Sequence, residues 1–471
     1  MKRIEFLKTS VALVLGGMAT PMMSSCSEAK KENDMRKNWA GNYQYQAPDY
    51  FEPANVEEVR SLVIETKQNK ALGSCHCFNN IADSPSTQIS TKKLNKFLSL
   101  DEANQTVTVE SGVRYGDFAK ELTDKGYALH NLASLPHISV AGACATATHG
   151  SGVSNGNLAT SVVGLEIVNG NGEVLQLSKE KDGEMFNGVV VGLGALGIIT
   201  KVTLAVQKAF EVRQDLFQDL PLSSLQENFD AIMSGGYSVS LFTDWQNQLI
   251  SQVWVKSKVE DFQELGDTYY GAKAATKNLH PITALSAENC TEQLGVSGPW
   301  YERLPHFKMG FTPSSGEELQ SEFFVPRKNA VEAYMLIEQM KDEIFPELLI
   351  SEIRTIAADE FWMSPCYRQD SVAFHFTWKQ HTPEVMALLP KIEAALAPFN
   401  VKPHWGKLFT ISPKTLRARY EKYDDFMGLV KSFDPKGKFR NDYLNKNIYP
   451  NTSDGNKLGY QWIKGIPSDN C

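Results

Sequence analysis

Three stretches of this 471-residue chain concentrate side chains able to bind or react. The first, Leu72-Gly73-Ser74-Cys75-His76-Cys77-Phe78-Asn79, sets one imidazole between two thiols in a run of small residues. Glycine and serine after a helix let successive backbone N–H groups face an anion. A plain turn with a satisfied histidine has the same spacing. The second stretch runs from Ser134 to Gly152 and holds His137, Ser139, Gly142, Thr146, Thr148 and His149 among small side chains. Such a segment lets the backbone lie against a large flat ligand bearing phosphates. A tightly packed loop in a small-residue core would look alike. The third is a pair of apolar alternating segments, 350–356 and 371–379. Period two puts Glu352 and Arg354 on one face and Ile353 on the other. It likewise groups Ala373, His375 and Thr377 opposite Phe374, Phe376 and Trp378. If the two strands pair, Glu, Arg, His and Thr make one polar face backed by a greasy one. An exposed sheet face with a surface ion pair gives the same pattern.

The elements that must position these residues are short. Val56, Val59, Leu62 and Val63 share a helical face over 55–68, with Asn55 as its cap. Residues 97–110 read as a hairpin, 115–125 as a helix stopped by Gly126, and 162–177 as a hairpin turning at Asn169-Gly170-Asn171-Gly172. Ile198 to Val206 reads as a strand, and 329–344 and 383–397 as helices. This irregular alternation predicts an α+β fold. Gly192-Leu-Gly194-Ala-Leu-Gly197 fits GxGxxG after Val189–Val191, which looks like a strand. A dinucleotide fingerprint needs a helix next. The following IITKVTLAV is β-branched and alternating, so the glycines are expected to turn between strands instead.

Composition narrows the classes. A charged fraction of 22% and a hydrophobic fraction of 42% are ordinary for a globular protein and exclude a polytopic membrane protein. The net charge is −8, and no run of five basic residues occurs, so no nucleic-acid footprint is present. The seven cysteines are scattered, without CxxC, and the nine histidines show neither HxxxH nor HExxH, so no metal site is expected. Residues 1–25 carry Lys2, Arg3 and Lys8, then an apolar run from Val11 to Ala19, which reads as a secretory signal. Ser24-Ser25-Cys26 is similar to a lipobox, which predicts an exported, periplasmic or cell-envelope lipoprotein anchored at Cys26. Residues 26–38 read as a tether, 39–206 and 207–400 as two domains, 401–450 as a returning segment and 451–471 as a polar tail.

The runs GSCHCFN, HNLASLPHISVAGACATATHGSG, YSVSLFTDW, NCTEQ, ELQSEFF, SEIRTIAAD, HFTW and PHWGK span roughly 40–450. Together they resemble flavoprotein oxidases of the vanillyl-alcohol oxidase type, in particular the bacterial alditol oxidase (xylitol oxidase) family. The resemblance implies a two-part FAD-binding domain and a substrate (cap) domain built on an antiparallel sheet flanked by helices. It implies FAD joined covalently to His76. It puts Ala71, Leu72, Gly73, Ser74, Cys75 and Cys77 at the cofactor. Ser134, Ser139, Gly142, Thr146, Ala147, Thr148, His149, Ile199 and His404 join them. Cys144 lies after the SVAG segment rather than before it, so a single flavin link is expected.

The same resemblance implies a polyol site of Gln320, Glu352, Arg354, His375, Thr377 and Lys407, with Ser134 and Val153 from the flavin side. Glu352 and Arg354 would bind and activate the reacting hydroxyl; His375 or Lys407 would assist proton removal. The activity implied is oxidation of a primary alcohol of a sugar alcohol to the aldose, with reoxidation by oxygen or another electron acceptor. Ala133, beside Ser134, is placed to influence oxygen access. Two alternatives stay open: an aldonolactone oxidase or a dehydrogenase using another acceptor, and a non-enzymatic lipid-anchored polyol-binding protein.

Overall fold

Asn55 accepts a hydrogen bond from the Glu58 N–H and so starts the helix Val56–Glu65, which buries Val59 and Val63 four residues apart. The chain then enters a three-stranded parallel sheet, ordered Asp49–Phe51, Thr87–Ser90, Asn69–Leu72. The computed structural model describes residues 36–311 and 317–449. The expected signal 1–25, Cys26 and the tail 451–471 lie outside the described residues, as does most of the tether. Its last residues are already folded, since Lys37 pairs with Gln44 and Asn38 is buried.

A five-stranded antiparallel sheet follows, in the order Phe97–Asp101, Thr106–Glu110, Ile198–Ala205, Val162–Val168, Val174–Ser178. In Ile198–Ala205 burial alternates at every residue, as the β-branched pattern requires. Both expected hairpins form, and the helix Tyr115–Asp124 ends before Gly126, which sits at φ +86°. Three local expectations need correction. Val189–Val191 is not a strand. Phe186, Val189 and Val190 form the buried stripe of the helix Lys179–Val190, and a helical stripe outweighs β-branching there. The glycines therefore turn from helix into strand. A side chain at Gly197 would meet the Val168 carbonyl oxygen at 2.5 Å. The His76 loop follows the strand Asn69–Leu72, not a helix. The expected 329–344 helix is two, Ala330–Glu338 and Lys341–Ile344.

The largest sheet has ten strands. Its antiparallel centre runs Glu211–Pro221, Leu249–Lys258, Ser238–Thr243, Leu348–Ile356, Ser371–Lys379, Glu318–Pro326. The helices Leu222–Ser234, Ala330–Glu338 and Thr382–Leu396 pack on it, burying Leu225, Ile337 and Ile392 among others. Register sets Glu352 opposite His375, His375 opposite Glu322, and Thr377 opposite Gln320. Residues directly opposite bring their side chains together on one face. Phe374, Phe376 and Trp378 point into the core, with the last two rings stacked at 4.9 Å.

Candidate active site

One cavity of about 500 Å³ gathers all three chemical stretches. Residues 71–77 line it, followed by Ser134, Ser139, Gly142, Thr146, Thr148, His149 and Ile199. The sheet contributes Gln320, Glu352, Arg354, His375 and Thr377, and the 403–407 loop contributes His404 and Lys407. Two expected residues are not in this lining. Ala147 takes φ +54° and turns its methyl into the core. Val153 follows Gly152, whose N–H bonds the Thr355 carbonyl, and that tie carries Val153 onto the core as a half-buried residue.

The loops are cross-braced. Asn79 donates to the Trp405 and Lys407 carbonyls, and the Phe78 N–H bonds the Gly406 carbonyl. This explains the Phe-Asn after the histidine: it clamps the loop bearing Lys407. The Ser139 N–H donates to Ser74 Oγ, and a side chain at Gly73 would meet Ser139 Oγ at 2.5 Å and have to displace that hydroxyl. Cys75 holds φ +60°, a strained setting for a side chain, which turns the loop so that His76 faces the cavity. Trp39 stacks on the imidazole at 4.6 Å. Both ring nitrogens of His76 are shielded and have no hydrogen-bond partner among the described residues. Burial, with His137 and Lys407 adding, pushes this histidine down to about 4. An unpaired buried polar group costs about 1–3 kcal/mol. A neutral imidazole with free nitrogens at the cavity wall fits a ligand bonded to it.

The substrate wall is an ion network that includes residues the sequence patterns missed. Glu322 is 1% exposed. Its Oε2 accepts from Lys407 Nζ at 2.7 Å, its Oε1 accepts from Arg354 Nη2 at 3.2 Å, and His149 Nε2 lies 3.1 Å away. Burial pushes Glu322 up, but Lys407 and His149 outweigh it and hold it well below the usual carboxylate range. Glu352 is treated alike: burial raises it, while Arg354 and His306 hold it ionised. Its Oε1 accepts from His306 Nε2 at 2.7 Å. Arg354 also donates to Ser134 Oγ at 3.2 Å. Lys407 donates to His375 Nδ1 at 2.7 Å, and His375 Nε2 lies 3.0 Å from Thr377 Oγ1. Burial, then Lys407, pushes His375 down to about 4 and keeps it neutral. Glu322 lies two residues from Gln320 in ELQSEFF, so alternation would have found it had that run been read as a strand. His306, in a loop, left no such signal.

A wall of two ionised carboxylates, a guanidinium, a lysine amine of lowered basicity and a neutral imidazole suits a substrate rich in hydroxyls. Opposite it lies the cleft of small residues. Comparison with known proteins agrees with this division. The model for the FAD binding domain matches residues 48–178, and that for the D-arabinono-1,4-lactone oxidase family matches 315–447. An alditol oxidase from Streptomyces is 45% identical over 410 residues, covering 86% of this chain and 97% of the relative. The L-gulonolactone oxidase of Bos taurus is 25% identical, covering 88% and 98%. The L-gulono-1,4-lactone dehydrogenase of Mycobacterium tuberculosis is 26% identical, covering 88% and 99%. The crystal structure of cholesterol oxidase from B. sterolicum superimposes with a TM-score of 0.72 at 15% identity, over 88% of this chain and 96% of that one, and so shares the fold. On the length and level of the Streptomyces match, the chain belongs to the alditol oxidase family of FAD-binding oxidoreductases.

Proposed function

We propose that the protein oxidises a primary alcohol of a sugar alcohol of the xylitol or sorbitol type to the aldose, with oxygen as final acceptor and release of hydrogen peroxide. The observation that carries this reading is one cavity wall bearing Ser134, Gln320, Glu352, Arg354, Thr377 and Lys407. A polyol has a hydroxyl on every carbon, and each one buried unpaired costs about 1–3 kcal/mol. FAD supplies the hydride acceptor when bound. The cleft of 71–77, Ser139, Gly142, Thr146 and His149 would hold it, and the shielded, unpartnered nitrogens of His76 support a covalent link there.

The chain's own residues then divide the work. Glu352 stays ionised with Oε1 occupied, so Oε2 receives the hydrogen bond of the reacting hydroxyl. Arg354 and Ser134 orient the same oxygen. Lys407 receives the proton at Nζ. Its bonds to Glu322 Oε2 and His375 Nδ1 use both N–H groups of a neutral amine and leave the lone pair for substrate. Burial, opposed by Glu322, lowers Lys407 from the ordinary lysine range, which raises the share of that amine near neutrality. Once protonated, the third N–H stabilises the oxygen it has just relieved.

A lactone substrate is the second reading, favoured by the 315–447 match. Anaerobic bleaching of the flavin by xylitol and sorbitol, set against aldonolactones, separates the two. Bleaching by polyols and prompt recolouring in air is the expected result. Bleaching by lactones alone refutes the polyol assignment, slow recolouring makes the protein a dehydrogenase, and no bleaching leaves a binding protein. Glu352→Ala is expected to keep its flavin while kcat falls at least about 100-fold. Near-normal turnover in that variant removes Glu352 from the mechanism. Export and lipid attachment at Cys26 are supported by the order of basic, apolar and small residues in 1–26. Cys26→Ser should move the protein from the membrane to the soluble fraction; an unchanged distribution rules the anchor out.

A further inference from the structure

Behind Glu352, away from the cavity, stands a buried lysine that no part of the reaction yet uses. Lys256, in the strand Leu249–Lys258, is 1% exposed and does not line the cavity. Its Nζ donates to the Leu304 carbonyl at 2.5 Å, the Pro305 carbonyl at 3.1 Å and His306 Nδ1 at 3.0 Å. Three acceptors match the three donors of an ammonium. The bond to Nδ1 requires a lone pair there, so the ring proton sits on Nε2 and is donated to Glu352 Oε1 at 2.7 Å. Phe242 and Trp254 close edge-on around the imidazole at 5.5 and 5.1 Å, and the His306 N–H bonds the Ser134 carbonyl. The ring therefore cannot swing away from Glu352.

We propose that Lys256 and His306 are positioning residues, with Lys256 setting the His306 tautomer and His306 holding the Glu352 carboxylate so that only Oε2 faces substrate. This rests on the reading that Glu352 receives the reacting hydroxyl. The geometry has a chemical consequence. Without the lysine, Nδ1 is open to a proton. The ring then either turns its lone pair on Glu352 or becomes an imidazolium paired with it. The charged and titratable groups facing this pair are Glu352, Arg354 and Cys290, and none of them donates to Nδ1. Burial, reinforced by Lys256, pushes His306 down to about 4, in keeping with a ring that stays neutral through the working range. Burial likewise pushes Lys256 down to about 7 while Glu352 opposes the fall, and the three acceptors give each N–H of its ammonium form a partner.

The test is the pH profile of kcat/KM for the flavin-loaded enzyme. Lys256→Met is expected to lower kcat about 10–100-fold and to move the acid limb upward as His306 begins to titrate. Lys256→Gln, which keeps a neutral donor for Nδ1, should recover most of the rate and the original limb. His306→Gln covers the case in which Lys256→Met does not fold. It keeps a donor to Glu352 and removes the titration, so its acid limb should not move upward. In a Glu352→Gln background the lysine change should have no further effect. A wild-type profile for Lys256→Met, or an equal loss in the Glu352→Gln background, overturns the relay. If Glu352→Gln itself turns over normally, the parent reading fails instead, which keeps the two failures apart.

Discussion

His76→Ala is expected to yield a folded protein with no flavin surviving denaturation. The loop does not depend on the imidazole. Trp39 N–H bonds the Cys75 carbonyl, Phe78 N–H bonds the Gly406 carbonyl, and Asn79 holds Trp405 and Lys407, all through groups the substitution leaves in place. Only the ring is lost, with its stack on Trp39 and its two free nitrogens. The change in covalent flavin should therefore be all-or-none. A ring nitrogen on the isoalloxazine also tunes its electronics, so turnover of whatever flavin rebinds should drop on the order of tenfold or more. In-gel fluorescence after denaturation reads the first effect and steady-state rates the second. A yellow band persisting in the variant would place the link elsewhere.

The second large effect is expected at Glu322, which the sequence patterns did not single out. Glu322→Gln leaves Lys407 and Arg354 buried with one shared counter-charge removed. Removing one partner of a buried pair costs about 3–5 kcal/mol. It also takes away the anion opposing the lowered basicity of Lys407 and leaves one amide oxygen where two carboxylate oxygens had accepted from Lys407 and Arg354. A fall in kcat of about 100-fold or more is expected. Adding Lys407→Met should restore part of the melting temperature and none of the turnover. A single variant as stable and active as the parent would refute the network's role.

The acid limit follows from the same groups. Glu322 is held below its ordinary value, so the stability it contributes is present above about pH 4.5 and lost as pH falls below it. His306 and His375 are lowered from 6.5 to about 4. The unfolded chain binds their protons first, so their contribution is full above 6.5 and disappears between 6.5 and 4. Melting temperature should fall steeply across that window in the parent, and the Glu322→Gln curve should lack the drop below 4.5.

Local alternation was enough to find half of the substrate wall. Glu352 and Arg354, or His375 and Thr377, share a face whatever the strand pairs with, because successive side chains point oppositely. The Asn55 cap and the turn at Asn169-Gly170-Asn171-Gly172 were legible for a similar reason: each is decided within a few residues. Val189–Val191 misled because a β-branched triplet looks the same at the end of a helix as in a strand. Glu322 was overlooked because ELQSEFF was not read as a strand, although alternation from Gln320 puts it on the same face. Lys256 was invisible as a site residue because a charged residue in a strand ordinarily faces water, and nothing near it in sequence says otherwise.

The sequence alone thus determined the α+β class, the family, the histidine loop and the polar face of two strands, since these depend on residue type and short-range spacing. The tertiary structure decided which charges neutralise which. It put Glu322 between Lys407 and Arg354, and Lys256 behind His306 and Glu352, through hydrogen bonds between residues up to 85 apart in sequence. A buried charge is tolerable only beside its partner, and that partner is chosen by sheet register, which no local pattern carries.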